Sequence, residues 1–195
     1  MRVIGGSAKG IKLYSPEGMN VRPTSDRVKE ALFNIIAPHI ENALFVDVFA
    51  GTGNVGIEAL SRGAKLCVFI EKMPHCVKII TENLKKTGLD HKASIYKGDV
   101  FLALNRLKKD FNRMDYYFLD PPYGSHLIPK VLEYINRREM LNNKGGIIIE
   151  HLQKNEIKVD DSWRIESCRN YGDTSLSFLS RDNHLNKATG EGGKE

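Results

Sequence analysis

The sequence predicts an open α/β fold whose sheet is mostly parallel. Three observations carry that expectation. Short, near-continuous apolar runs (ALFVDVFA, LCVFIE, MDYYFLD, GGIIIEHL) recur along the chain, as strands covered on both faces require. Amphipathic stretches of helical period lie between them. A glycine-rich turn, AGTGNVG, follows the first run where a strand would pass into a helix.

The elements follow in order. Val3 and Ile4, then Ile11, Leu13 and Tyr14, flank a Gly-rich bend and predict a small hairpin. In RPTSDRVKEALFNII, Val28, Leu32, Ile35 and Ile36 share one helical face. Thr24 or Ser25 can cap this helix, Asp26 suits its positive end, and Pro38 is expected to help end it. ALFVDVFA reads as a strand, and GNVGIEALSRG as a helix closed by Gly63. LCVFIE is a second strand. Pro74 opens a helix through CVKIITENLKKT that Gly88 stops. ASIYKGD is a third, weaker strand, followed by a helix around Phe101, Leu104 and Leu107. MDYYFLD is a fourth strand, ending at two prolines, and a helix from Leu127 to Ile135 leads to the fifth, GGIIIEHL. WRIESCRNYGDTSLSFLS reads as two strands turning at Gly172 and Asp173, which adds an antiparallel strand. From about Asp182 the chain is polar and Gly-rich, and disorder is expected there. The expected organisation is a hairpin and helix at 1–40, an α/β domain at 41–181, and a tail at 182–195.

The composition, 41% hydrophobic and 27% charged over 195 residues, excludes wholesale disorder. A net charge of +5 and a pI near 9.0 favour polyanionic partners. Cys67, Cys76 and Cys168 form no C-x-x-C pair, which fits free thiols in a reducing compartment. The opening MRVIGGSAKGIKL lacks the apolar core of a secretory signal, and no run approaches the length of a membrane span. A cytoplasmic location is expected.

In VDVFAGTGNVG, Gly51, Gly53 and Gly56 satisfy G-x-G-x-x-G, where missing side chains let a ligand approach the backbone. The pattern alone also describes a dinucleotide site. Asp47, four residues before Gly51, tilts the choice. A pyrophosphate gains little from a nearby carboxylate, whereas a cofactor with a methionine ammonium tolerates or favours one. Glu71 closes the second strand, where a carboxylate can accept from both hydroxyls of a ribose; capping of the next helix is the alternative. Asp99 ends the third strand, placed to accept from an adenine amino group, to cap the following helix, or both. These acids sit at carboxyl ends of consecutive strands, where open α/β sheets bind ligands.

Asp120, Pro121, Pro122 and Tyr123 follow the fourth strand. Two prolines fix φ and remove two N–H donors, leaving a rigid turn rich in acceptors. An exocyclic amino group of a nucleobase needs such a place, because its lone pair is delocalised into the ring until its hydrogens are held out of conjugation. The Asp120 carboxylate and the Pro121 carbonyl are expected to accept those hydrogens. The lone pair would then face a sulfonium methyl for in-line displacement. Tyr123 would stack on the base, a contact typically worth about 1–3 kcal/mol. Orientation alone can supply roughly 7–11 kcal/mol, so no metal and no covalent nucleophile is required.

With these residues in place, the chain resembles the class I S-adenosylmethionine-dependent methyltransferases, and more narrowly the RsmD family of 16S ribosomal RNA guanine-N2 methyltransferases. The matching segments are RVIGGSAKGIKL, RPTSDRVKEALFNII, DVFAGTGNVGIEALSRGA, FIEK, Gly98–Asp99, DPPY and YGDTSLSFL. The resemblance implies a Rossmann-like, seven-stranded, mostly parallel sheet with an antiparallel last strand, plus an N-terminal hairpin and helix. It implies S-adenosylmethionine as cofactor and 16S rRNA or a small-subunit particle as partner; no metal, no membrane and a monomeric state are further expectations. The cofactor set is then Asp47, Phe49, Ala50, Gly51, Gly53, Glu71, Lys72, Asp99, Val100 and Asp120, and Asp120 through Tyr123 carry the target amine.

Arg2, Lys9, Lys12, Arg22 and Arg27 concentrate positive charge near the N-terminus and are the expected RNA contacts; solvated side chains are the bland alternative. Arg137 and Arg138 read as a solvated helix end. Rival readings are an adenine-N6 methyltransferase acting on RNA or DNA, a nicotinamide-dependent oxidoreductase, and an assembly factor that binds RNA without catalysis.

Overall fold

The computed structural model describes residues 1–15, 24–122 and 126–182. The tail from 183 onward, where disorder was expected, lies outside the described residues, as do Arg22 and Tyr123. The described residues build one seven-stranded sheet in the order β3-β2-β1-β4-β5-β7-β6. Its strands are β1 (Leu44–Asp47), β2 (Leu66–Glu71), β3 (Ala93–Lys97), β4 (Met114–Leu119), β5 (Leu141–Leu152), β6 (Trp163–Tyr171) and β7 (Thr174–Arg181). The pairs β1–β2, β1–β4, β2–β3 and β4–β5 are parallel, and β7 runs antiparallel to both β5 and β6. This is the Rossmann-like arrangement expected, with its reversed last strand.

Helices α1 (Asp26–Ile40), α2 (Asn54–Ser61), α3 (Pro74–Thr87), α4 (Val100–Phe111) and α5 (Leu127–Arg137) cover the two faces. On one face Phe45, Phe69, Phe118 and Ile148 pack with Leu32 and Phe33 of α1, Ile57 of α2, and Ile80 of α3. On the other, Val46, Val68, Tyr117 and Ile149 pack with Leu104 of α4 and Val131 and Ile135 of α5. Consecutive strand residues thus serve opposite cores, which is why the strands read as unbroken apolar runs.

Local chemistry explains most boundaries. Ser25, not Thr24, caps α1, accepting from the Val28 N–H at 3.3 Å. Gly88 at φ 70° closes α3, and Gly172 at φ 65° makes the β6–β7 turn. Pro38 departs from expectation. It does not end α1, which continues to Ile40. The missing N–H costs about 3 kcal/mol, but Ile36 and Ile40 on either side are both buried, and each recovers roughly 1.5–3 kcal/mol.

The N-terminal hairpin is narrow, with one antiparallel bridge, Arg2 to Lys12. Val3, Ala8 and Leu13 enter the same core as Phe45 and Phe118. Polar contacts fasten it as well: the Ser61 hydroxyl donates to the Gly5 carbonyl at 2.5 Å and accepts from the Ala8 N–H at 2.9 Å. Asn83 of α3 accepts from the Tyr14 N–H at 2.7 Å.

Candidate active site

The glycine turn after β1 is shaped by backbone that side chains resist. Gly51 (φ 54°) and Gly53 (φ 79°) are left-handed, and the Gly53 N–H donates to Ala50 at 2.7 Å, closing a tight turn into α2. Gly56 has a different reason: a Cβ there would lie 2.3 Å from the Phe69 ring and 2.7 Å from the Cys67 sulfur, so its absence lets α2 rest on β2. A Cβ built at Gly51 meets nothing within 4 Å, so the turn faces open space where a ligand can approach its backbone.

Asp47 lies beneath this turn. It is 2% exposed, and its Oδ2 accepts the Gly56 N–H at 2.9 Å. Burial pushes its carboxyl up to about 7; the Gly56 bond opposes that rise, and the charges of Glu71 and Glu150 add to it. Glu71, at the end of β2, reaches back so that Oε2 accepts from the Gly51 N–H at 2.8 Å and Oε1 from the Met73 N–H at 2.7 Å. The Glu71 carboxylate thus ties the glycine turn to the residue that precedes α3, and it makes no capping bond to the helix itself. Asp99 caps α4 through Oδ1, from the Phe101 N–H at 2.9 Å and, longer, the Leu102 N–H at 3.4 Å. Ala50 donates its N–H to Ile70 at 3.0 Å, Phe49 is half-buried, Val100 is buried, and Lys72 is exposed. All of these residues stand along the carboxyl ends of β1, β2 and β3.

Asp120 follows β4 at the same edge, with Pro121 buried and Pro122 exposed. Burial first, then the charges of Glu150 and Asp47, raise the Asp120 carboxyl well above the usual carboxylate range. Strand alternation explains why these three acids sense one another. Asp47 lies two residues past Phe45, Asp120 two past Phe118, and Glu150 two past Ile148, so all three project from one face of adjacent strands. Among the described residues neither Asp47 nor Asp120 has an ion-pair partner, and no group of three or more His, Cys, Asp or Glu side chains is placed to hold a metal ion.

A buried polar chain joins this edge to the N-terminal segment. The Thr24 hydroxyl donates to Glu150 Oε2 at 2.7 Å, and Asn54 Nδ2 donates to the Thr24 carbonyl at 3.1 Å. The Lys29 ammonium donates to Asn54 Oδ1 at 2.8 Å and to the Arg2 carbonyl at 2.6 Å, and pairs with Glu58 at 3.5 Å. Glu58 also accepts from Arg62 at 2.8 Å and from the Ile4 N–H at 2.8 Å. Lys29 and Glu58 are both 0% exposed. Burial lowers the Lys29 ammonium below its usual value, against the opposing charges of Glu58 and Asp26.

Of the basic residues expected to meet RNA, Lys9, Lys12 and Arg27 are exposed, and Arg2 is exposed but paired with Asp26 at 3.0 Å. A cleft of about 400 Å³ is lined by Met1, Arg2, Lys12, Thr24, Ser25 and Asp26, so the hairpin's charge lies next to the residue that holds Glu150. Arg137 pairs with Glu133 at 3.2 Å, and Arg138 lies over the Tyr134 ring. His151 contacts the Ser177 hydroxyl at 2.9 Å, a bond between β5 and β7 that fits a structural role.

Sequence reasoning passed over Glu150, Thr24 as its partner, and the buried Lys29–Glu58 pair. For Glu150 a signal existed: it closes the apolar run GGIIIE just as Asp47, Glu71 and Asp120 close theirs. For Lys29 and Glu58 none did, because nothing local marks a helical lysine as buried.

Comparison with known proteins fits this geometry. Residues 1–180 match the model of the family described as Conserved hypothetical protein 95. The chain is 30% identical over 183 residues to the ribosomal RNA small subunit methyltransferase D of Escherichia coli, covering 93% of this chain and 90% of that protein. The solved structure of yhhF from Escherichia coli superposes with a TM-score of 0.80 at 28% identity, over 93% of this chain and 98% of that one. An RNA methyltransferase from Salinibacter ruber, solved with S-adenosyl-L-homocysteine, shares the fold with a TM-score of 0.62 at 19% identity, over 83% of this chain and 95% of that one.

Proposed function

Because the chain belongs to the Conserved hypothetical protein 95 family, to which RsmD-type methyltransferases belong, we propose that it methylates the exocyclic N2 of a guanine in 16S ribosomal RNA. It is an S-adenosylmethionine-dependent rRNA methyltransferase. The observation that carries the finer reading is the row of acids on one sheet edge, Asp47, Glu71 and Asp99, running on to the Asp120–Pro121 corner.

The residues fit the cofactor. Gly51 and Gly53 leave the turn open to a ligand, with Phe49 and Ala50 leading into it. Glu71, fixed at the end of β2, would hold the ribose, with Lys72 beside it. Asp99 keeps its capping bonds on Oδ1, so Oδ2 can face an adenine amino group beside Val100. Asp47 sets the glycine turn from below and adds negative charge for a methionine ammonium. Bound S-adenosylmethionine supplies an electrophilic methyl on a positively charged sulfur.

The chain's own residues prepare the amine. The Asp120 carboxylate and the Pro121 carbonyl accept the two N2 hydrogens, turning the nitrogen lone pair out of conjugation. Pro122 stiffens the corner, and Tyr123 stacks on the base. Methyl transfer to N2 would leave the nitrogen cationic, with one proton to lose. Asp120 takes it, and its raised proton affinity suits it to do so.

Residues 1–40 deliver the RNA, with Arg2, Lys9, Lys12, Arg22 and Arg27 on its phosphates. Residues 41–181 catalyse. The same reading has the chain act in the cytoplasm as a monomer on 16S rRNA or a small-subunit particle. No helix among the described residues is long and apolar enough to cross a membrane.

Incubation with labelled S-adenosylmethionine and small ribosomal particles, followed by nucleoside analysis, tests the proposal. N2-methylguanosine supports it, and N6-methyladenosine replaces it with the adenine reading.

A further inference from the structure

Glu150 belongs to no cofactor contact described above, yet it sits beside the reacting corner. Leu119 pairs with Ile149, so Asp120 and Glu150 are the next residues along neighbouring parallel strands. Both project from the face that carries Phe118 and Ile148. Such strands lie about 4.8 Å apart. Carboxylates on neighbouring strands repel, the Glu150 charge raises the proton affinity of Asp120, and Glu150 is 9% exposed. A protein keeps this arrangement at a cost in stability, and donors must offset it. Thr24 provides one, at 2.7 Å on Oε2. A carboxylate has about four acceptor positions, so Glu150 can accept from more than one donor.

Guanine presents matching donors. On its Watson–Crick edge the N2 amino group and the ring N1–H stand side by side, pointing the same way. Adenine has a bare lone pair at N1. We propose that Glu150 selects the target base by accepting the guanine N1–H while Asp120, one strand over, holds the N2 amino group. The inference rests on the guanine-N2 reading and adds to it the residue that reads the base. An adenine in this place would set its N1 lone pair against a carboxylate, so rejection is built in along with recognition. Thr24 is a positioning residue. It anchors Glu150 Oε2 and is itself held through its carbonyl by Asn54, which Lys29 holds in turn.

The test compares two bases that carry the same amine. Small-subunit particles are assembled with rRNA containing, at the position the enzyme methylates, either guanosine or 2-aminopurine riboside, which keeps the 2-amino group but has an acceptor at N1. The wild-type enzyme is expected to favour guanosine in kcat/KM on the order of 100-fold. Glu150→Gln, whose amide can donate to N1, is expected to narrow that ratio by about tenfold or more, with unchanged affinity for S-adenosylmethionine. Thr24→Val is expected to narrow it in part; a purely structural role would instead lower the melting temperature and leave the ratio alone. Equal use of both bases by the wild type, or the wild-type ratio in both variants, overturns the proposal. If wild-type enzyme makes no N2-methylguanosine in natural particles, the guanine reading fails and the inference with it. N2-methylguanosine with an unchanged ratio sinks only the role of Glu150.

Discussion

Asp47 Oδ2 accepts the Gly56 N–H at 2.9 Å, so a carboxylate sealed under the glycine turn holds the first turn of α2 to the end of β1. Its carboxyl is pushed from 3.8 up to about 7, mainly by burial. An acid raised in the folded state lends its stability fully below its unfolded value and loses it as pH climbs through the folded one. Wild-type stability should therefore fall between about pH 4 and pH 7. Asp47→Asn keeps an acceptor for Gly56 and removes that fall. Above pH 7 it should be more stable than wild type by up to about 4 kcal/mol, converging at pH 4, as denaturant midpoints across pH will show. A variant that is less stable at every pH would mean the charge itself is needed.

Methyl transfer should depend on an ionised Asp120. Its proton affinity is raised by burial and by Glu150 and Asp47, the acids facing it from β5 and β1. Single-turnover rate should climb with pH and level off above the raised value, well beyond the ordinary carboxylate range. Glu150→Gln removes one like charge and should move that limb to lower pH. A limb that stays in place would separate the rate from Asp120.

Asp120→Ala should cost about 10²–10³-fold in kcat, the usual loss when one charge-stabilising group is removed from a reacting centre. RNA binding, read by filter retention, should stay near wild type. Loss of RNA binding would recast Asp120 as a docking residue.

Lys29→Met breaks a fully buried ion pair and strips Asn54 of its donor. A loss of about 3 kcal/mol in unfolding free energy is expected, within the range for a buried charge left without its partner. Arg62 remains on Glu58, which keeps the loss at the low end. A change under about 1 kcal/mol would show that the pair contributes little.

Lys9 and Lys12 are exposed on the hairpin. If they grip phosphates, changing both to Gln should reduce the slope of log K against log salt by roughly 1–2. An unchanged slope would move the RNA contact elsewhere.

How much of this was legible beforehand depends on the range of the forces involved. Alternating apolar runs and helical stripes are local and periodic, so β1 through β7 and their helices could be read in order. So could the strand-end acids, because a carboxylate closing an apolar run is conspicuous in a sequence. Pro38 misled because local propensity was weighed without the burial of Ile36 and Ile40. Either Thr24 or Ser25 could have capped α1, and only the fold showed that Ser25 does so while Thr24 reaches a strand 126 residues away.

From the sequence alone came the class of fold, the acids at the strand ends and the proline corner after β4, since each is encoded within a few neighbouring residues. Tertiary structure decided which acids feel one another, that Lys29 and Glu58 are shut away from water, and that the N-terminal segment shares a hydrophobic core with the sheet. Those outcomes depend on strand order and on distances between residues remote in the chain, and no local pattern carries that information.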